Sequence, residues 1–253
     1  MSAVKAFLKK YWLTICIYLG LVLLYIYVTE SGLANPYLFP KVDAIKRAFS
    51  ENEGLLLLNM LSSFKLMIPS ILISVLIALT IGTILGMNSR LRDALHPIIY
   101  TFSVVPSILL SPFALLLSPN FWAASLFLIV YGTVWATLFA TITGIMTIDK
   151  HYLDKAAALE IHGIKKLTKV ILPAASPSIL AGFVNSLRST FVMLVYAEMY
   201  GAQYGMGFFV KKYAEFGLYD KTWCGFLFMV FILVIVMQLF EMLKKHLLKW
   251  TTN

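Results

Sequence analysis

Residues 60–87 read MLSSFKLMIPSILISVLIALTIGTILGM, and Lys65 is the single charged side chain among them. As a helix this stretch is about 42 Å long at 1.5 Å per residue, more than the ~30 Å hydrocarbon core of a bilayer. Backbone polar groups in lipid must be satisfied within the segment, so the stretch is predicted to be a spanning helix. Five more runs of similar character lie on either side of it, at about 11–29, 96–118, 121–147, 174–199 and 222–243. Ser118-Pro119-Asn120 separates the third span from the fourth and leaves room only for a tight hairpin. The expected fold is an all-α membrane protein with about six transmembrane helices, in one transmembrane domain over residues 1–253.

Composition agrees. The chain has 253 residues, 60% of them hydrophobic and 13% charged, and its mean hydropathy is +0.84. A soluble domain of this size needs a polar exterior that these runs leave no room for. The net charge of +9 sits in short clusters between apolar runs rather than along one face, which suits membrane orientation and not nucleic acid. Cys16 and Cys224 have neither metal-ligand spacing nor a disulfide framework, and both read as small apolar packing residues. Lys5, Lys9 and Lys10 before an apolar run resemble a signal peptide, but the run Tyr11–Val28 is longer than a signal core and is expected to stay as a helix.

Orientation follows from Lys and Arg outside the apolar cores. With both ends on one side, that side holds Lys5, Lys9, Lys10, Arg90, Arg92, Lys150, Lys155, Lys165, Lys166, Lys169, Lys244, Lys245 and Lys249, which is 13, and the other holds Lys41, Lys46, Arg47, Lys211, Lys212 and Lys221, which is 6. The positive-inside bias therefore places both termini in the cytoplasm. The external loops are then 30–58 and 201–221, and the one long cytoplasmic loop is 149–173.

No Gly-x-x-x-x-Gly-Lys-Ser/Thr phosphate loop occurs, nor a His-Glu-x-x-His or Gly-x-Ser-x-Gly element, and no cluster suggests a metal, a cofactor or catalysis. His96, His151, His162 and His246 all fall at helix ends or in the loop. An enzyme is thus not expected. An ion-coupled secondary transporter or channel is the alternative, but no helix carries the paired acids of a proton or sodium path.

The long loop and the start of the next span read DKHYLDKAAALEIHGIKKLTKVILPAASPSILAGF from Asp149 to Phe183. Apolar positions at Tyr152, Leu153, Ala156, Ala157 and Leu159 precede Gly163, and Ile164, Leu167 and Val170 then recur with lysines between them. Two short amphipathic helices around a glycine turn fit this pattern, with Pro173 in the first turn of the next span. Their apolar stripe needs a partner, which is either the membrane surface or another protein.

Asp154-Lys155-Ala156, Glu160 and Val170-Ile171-Leu172-Pro173 resemble the cytoplasmic signature of binding-protein-dependent ABC importer permeases, Glu-Ala-Ala, three residues, Gly, nine residues, Ile, one residue, Leu-Pro. The spacing is kept without a gap, while Asp154 stands for Glu and Glu160 for Gly. Gly163 is expected to take over the turn and lengthen the first helix by nearly one turn; the alternative is that Glu160 itself occupies a strained turn. More of the chain is similar to the nitrate/sulfonate/taurine branch: Leu38-Phe39-Pro40-Lys41-Val42, Ser62-Ser63-Phe64-Lys65, Gly82 and Gly86, Arg90-Leu91-Arg92 with Pro97, Leu187-Arg188, Ala197-Glu198 and Gly205-Met206-Gly207. It departs after Pro106, where Leu115-Leu116-Leu117-Ser118-Pro119 replaces a Leu-Trp-Phe-Gly-Gly-like end.

The resemblance implies a type I ABC importer transmembrane domain in a bacterial cytoplasmic (inner) membrane. It implies ATPase coupling through Asp154, Ala156, Ala157, Glu160, Gly163, Leu172 and Pro173. The implied partners are two ATPase subunits that bind ATP and Mg, a second copy of this chain and an extracytoplasmic binding protein, with a small anion or a vitamin precursor as substrate. Within the spans, Ser103, Ser107 and Ser111 recur every four residues, and Arg188 and Glu198 lie ten residues apart, about 15 Å along a helix. These five are candidates for the pathway, or, alternatively, for helix packing and helix tethering.

Overall fold

The computed structural model describes residues 2–249, without the side chains of residues 2–8 and Lys10, and among these residues it is helical, with no strand. Lys5 and Lys10, which contribute to the charge bias, therefore have side chains outside the described set, as do residues 250–253. Five helices are long and apolar enough to span: α1 (Ser2–Glu30, apolar from Tyr11), α3 (Glu53–Met87), α6 (Phe121–Met146), the rod that ends in α9 (Leu172–Gly201) and α11 (Tyr219–Leu247). The sixth expected span is not one straight helix. α4 (Ser89–Val104) stops, a 3-10 turn runs Ser107–Leu110, and α5 (Ser111–Leu117) leaves at 81°. Pro106 has no N–H to continue the ladder, and the Val105 N–H closes on the Phe102 carbonyl at 3.2 Å, with the Tyr131 hydroxyl donating to that same oxygen.

The chain divides into two compact units, residues 1–56 with 209–228 and residues 57–208 with 229–253. In the first, the Tyr25 hydroxyl donates to the Pro40 carbonyl at 2.8 Å and the Trp223 indole to the Leu38 carbonyl at 3.0 Å, which ties the segment before α2 (Val42–Glu51) to α1 and α11. Lys41 and Glu30 pair at 2.8 Å. Phe209 in α10 (Met206–Glu215) is buried, and Phe216 just beyond it is exposed. A Cβ on Gly225 would lie 2.5 Å from the Phe209 ring, so this glycine makes the space the ring occupies.

In the second unit α6 packs along α9. A Cβ on Gly182 would lie 2.2 Å from the Ala140 Cβ and 2.7 Å from the Ala136 carbonyl oxygen, so only glycine allows this approach. Hydroxyls fasten the same seam: Thr133 to Thr190 at 3.1 Å, Thr137 to Ser186 at 2.8 Å, and Ser178 to the Ala140 carbonyl at 2.9 Å. Around the seam lies one apolar core of Leu66, Met67 and Ile71 from α3, Leu128 and Ile129 from α6, and Leu187, Phe191 and Leu194 from α9. Polar seams of this kind suit lipid, where backbone carbonyls are the only other partners for a hydroxyl.

Candidate functional site: the 149–173 loop and the charged residues of the spans

Asp149 opens the loop by accepting the His151 N–H at 2.9 Å, and α7 (Lys150–Ala158) begins there. The helix ends in a six-residue cap. The Ile161 N–H donates to the Ala156 carbonyl at 2.9 Å and the Glu160 N–H to the Ala157 carbonyl at 3.0 Å. That pattern demands a left-handed residue just past the helix, and Glu160 supplies it at φ +53°. The expected takeover by Gly163, with a longer first helix, is thereby corrected: α7 stops at Ala158, and Glu160 itself takes the turn that the family gives to glycine. Its side chain is exposed, so no clash adds to the backbone strain of about 1–2 kcal/mol. Gly163 has its own left-handed backbone, φ +57°, where α8 (Gly163–Lys166) begins.

The second short helix is likewise not separate. α8 runs through a π turn, Leu167–Ile171, directly into α9, with the Leu172 N–H bonded five residues back to the Leu167 carbonyl. Pro173 explains the widened turn, since it offers no N–H to Lys169 and its ring crowds that carbonyl. The loop is thus one short helix folded back on the extended end of a spanning helix.

Its inner face is anchored. Ile145, Ile171 and Ala175 are buried together, with Leu153 and Leu167 packed against them. Its outer face is not: Leu159 is 71% exposed and Ile164 79% exposed. Beside them an open cavity of about 200 Å³ is lined by Tyr152, Ala156, Ile161, Val170 and Pro173, with Lys155 and Lys169 at its edges. Of the predicted coupling residues, Asp154, Ala157, Glu160, Gly163 and Pro173 are exposed, Leu172 is half-buried and Ala156 is buried against the loop's own groove.

The five candidates in the spans separate. Ser103 bonds back to the Tyr100 carbonyl at 2.7 Å in α4, before the break at Pro106, so the expected single face with Ser107 and Ser111 does not form. Ser107 is buried 3.0 Å from the Met193 sulfur, and Ser111 lies 3.3 Å from the Tyr196 hydroxyl, so both sit against α9. Glu198 is 1% exposed, and its Oε2 accepts the Gly207 N–H at 2.8 Å. The neighbouring N–H groups of Gly205 and Met206 go to Asn59 Oδ1 at 2.8 Å and Ser63 Oγ at 2.9 Å. Three side chains thus cap the first turn of α10. Asn59 escaped the sequence reading, and Ser63 entered it only within Ser62-Ser63-Phe64-Lys65, without this role; their signal was two polar residues four apart at the start of an apolar run. An open cavity of about 410 Å³ beside the cap is lined by Ser62, Lys65, Asn120, Ser125, Gln203 and Tyr204. Arg188 is exposed, and its guanidinium donates to Asn185 Oδ1 at 2.8 Å.

Among the described residues no group of three His, Cys, Asp or Glu side chains is arranged to hold a metal. The fold has a solved counterpart: a chain of the MetNI methionine ABC transporter, in an inward-facing conformation, matches 79% of this chain and 98% of its own with a TM-score of 0.63 and 18% sequence identity. The putative aliphatic sulfonates transport permease protein SsuC of Bacillus subtilis is 28% identical over 177 residues, 70% of this chain and 64% of that protein. The nitrate import permease protein NrtB of Leptolyngbya laminosa is 25% identical over 169 residues, 67% and 60%. The bicarbonate transport system permease protein CmpB of Synechococcus elongatus is 29% identical over 139 residues, 54% and 50%. The chain therefore spans between half and two thirds of the length of these relatives. A family model described as "Binding-protein-dependent transport system inner membrane component" matches residues 70–253. With well over half of its length matched by that model, and with the transmembrane fold of type I ABC importers, the chain belongs to the family of binding-protein-dependent transport system inner membrane components.

Proposed function

We propose that this chain is the membrane-spanning subunit of an ATP-binding-cassette importer for a small oxyanion, working as a homodimer above two ATPase subunits that bind ATP and Mg. The 149–173 loop and both termini face the cytoplasm, and an extracytoplasmic binding protein delivers the substrate. The observation that carries this reading is the loop itself, anchored on its inner face and unpartnered at Leu159 and Ile164 on its outer one. A rigid lever of that kind, joined without a break to α9, transmits movement of a docked subunit into the span. The lysines at its edge, Lys155 and Lys169, favour an acidic rim on the ATPase groove. The names of the relatives, sulfonate, nitrate and bicarbonate permeases, favour an anion over a vitamin precursor.

Copurification tests this. The chain is expected to carry its ATPase through purification, and Leu159→Asp with Ile164→Asp to release it while leaving the chain folded. Undiminished association in the double variant would overturn the docking surface. Uptake by the chain alone, without the ATPase, would replace the importer with an ion-coupled carrier.

A further inference from the structure

Arg188 lies level with the middle of α6, and among the described residues no carboxyl pairs with it. The hydroxyl pairs Thr133–Thr190 and Thr137–Ser186 fix the level, because Thr133 lies twelve residues from one end of α6 (Phe121–Met146) and thirteen from the other. Arg188 falls between Ser186 and Thr190 on α9, two residues from each, so it points away from α6. It forms an exposed stripe with Ala181, Asn185 and Val192 at helical spacing. From the middle of a ~30 Å core the nearest interface is about 15 Å away, and an arginine side chain spans less than half of that, so it cannot snorkel out.

A guanidinium in hydrocarbon needs a counter-charge or water. Among the described residues no carboxyl lies at that level. Glu198 lies ten residues further along α9, in its last turn, and is buried as the cap of α10. Glu30, Glu53 and Asp220 lie within the first or last turns of helices, Asp93 is the fifth residue of α4, and Glu241 is six residues from the end of α11. A second copy brings the same set and thus no carboxyl either. Asn185 accepts one guanidinium N–H and orients the group, which leaves the rest of its donor fork free. A planar fork of N–H donors matches the oxygens of a sulfonate, nitrate or bicarbonate, three ions that differ in shape but share a charge spread over oxygens.

We infer that Arg188, oriented by Asn185, is the mid-membrane station at which the transported oxyanion is bound during passage, on a water-lined face of α9 in the assembled dimer. This rests on the importer reading above, and it divides the two charged residues of α9: Glu198 builds the fold and Arg188 meets the cargo.

The test uses the permease reconstituted in proteoliposomes with its ATPase and binding protein, and labelled nitrate, bicarbonate and ethanesulfonate as probes. The wild type is expected to take up at least one of them on ATP. Arg188→Gln should lose tenfold or more of that uptake while still assembling with the ATPase. Arg188→Lys, which keeps the charge and loses the fork, should raise the KM for uptake severalfold, and Asn185→Ala should do the same more weakly. Equal uptake by wild type and Arg188→Gln, or an unchanged KM in Arg188→Lys, overturns the station and leaves the importer standing. Assembly with the ATPase but no uptake of any probe by the wild type overturns both the oxyanion substrate and the station. Should Arg188→Gln fail to assemble, the KM of Arg188→Lys decides alone.

Discussion

The Glu198 Oε2 accepts the Gly207 N–H at 2.8 Å, and a Cβ added to Gly207 would lie 2.6 Å from the Val195 carbonyl oxygen. A carboxyl and a hydrogen atom thus occupy a gap that no larger pair fits, and Gly205, at φ +128°, is shaped by the same carboxyl, whose carbon would lie 2.4 Å from its Cβ. Ala197-Glu198 and Gly205-Met206-Gly207 are thus two halves of one cap. Glu198→Ala is expected to destabilise the start of α10 by about 1–3 kcal/mol, since it leaves the buried Gly207 N–H without its acceptor, and Glu198→Gln by about 1 kcal/mol. Gly207→Ala should match the alanine variant. Limited proteolysis of the 201–221 segment measures all three, and equal resistance of wild type and Glu198→Ala would refute the cap.

Glu160 and Gly163 both hold left-handed backbone, at φ +53° and +57°, in open surroundings. Glu160→Gly should therefore relieve strain of about 1 kcal/mol, and Glu160→Val should add at least that much. Gly163→Ala should cost about 1 kcal/mol from backbone conformation alone, because nothing lies within 4 Å of the added Cβ. Hydrogen exchange at the Glu160 and Ile161 amides, which close the cap of α7, reads these changes: about fivefold slower in Glu160→Gly and faster in the other two. An unchanged rate in Glu160→Gly would mean that the turn carries no strain.

Length and apolarity made the spans readable, because lipid allows a long apolar run few other structures. The same criterion hid the break at Pro106: Ser107–Leu117 is as apolar as a spanning helix, and the 81° bend depends on the Val105 N–H and the Tyr131 hydroxyl meeting at the Phe102 carbonyl. In the 149–173 loop the signature located the element, but the turn was assigned to Gly163 because glycine is the usual left-handed residue. The hydrogen bonds to Ala156 and Ala157 set the turn three residues earlier. Sequence spacing alone treated Arg188 and Glu198 as one class. Burial and partners distinguish them, and neither is visible before the helices are packed.

Ser186 donates to the Thr133 carbonyl at 2.8 Å and also accepts the Thr137 N–H at 3.1 Å. At 1% exposure it stitches α9 to α6 inside a seam that water does not reach. Ser186→Ala should cost about 1 kcal/mol, in keeping with measured interhelical hydrogen bonds in membranes, and Ser186→Val more, because the seam has no room for a second methyl. Unfolding in mixed micelles gives the value. A neutral Ser186→Val would show that the seam is loose.

Gly182 and Gly20 offer a paired test of what holds α6 and α9 together. At Gly182 the added Cβ meets the Ala140 Cβ at 2.2 Å and the Ala136 carbonyl oxygen at 2.7 Å, neither of which can swing aside. Gly182→Ala must then push the helices apart, lengthening the Ser178–Ala140 and Thr137–Ser186 contacts that flank it and thinning the Leu187 and Leu194 packing beyond. The expected loss is about 2–4 kcal/mol, of the order seen for overpacked cores and at their upper end because backbone is the obstacle. At Gly20, in α1, the Cβ meets nothing within 4 Å, and Gly20→Ala should stabilise by up to ~1 kcal/mol through helix propensity. The two variants change the same atoms, so propensity cancels between them and the difference isolates the close approach. Equal midpoints in the same unfolding series would mean that α6 and α9 are not in van der Waals contact at Gly182.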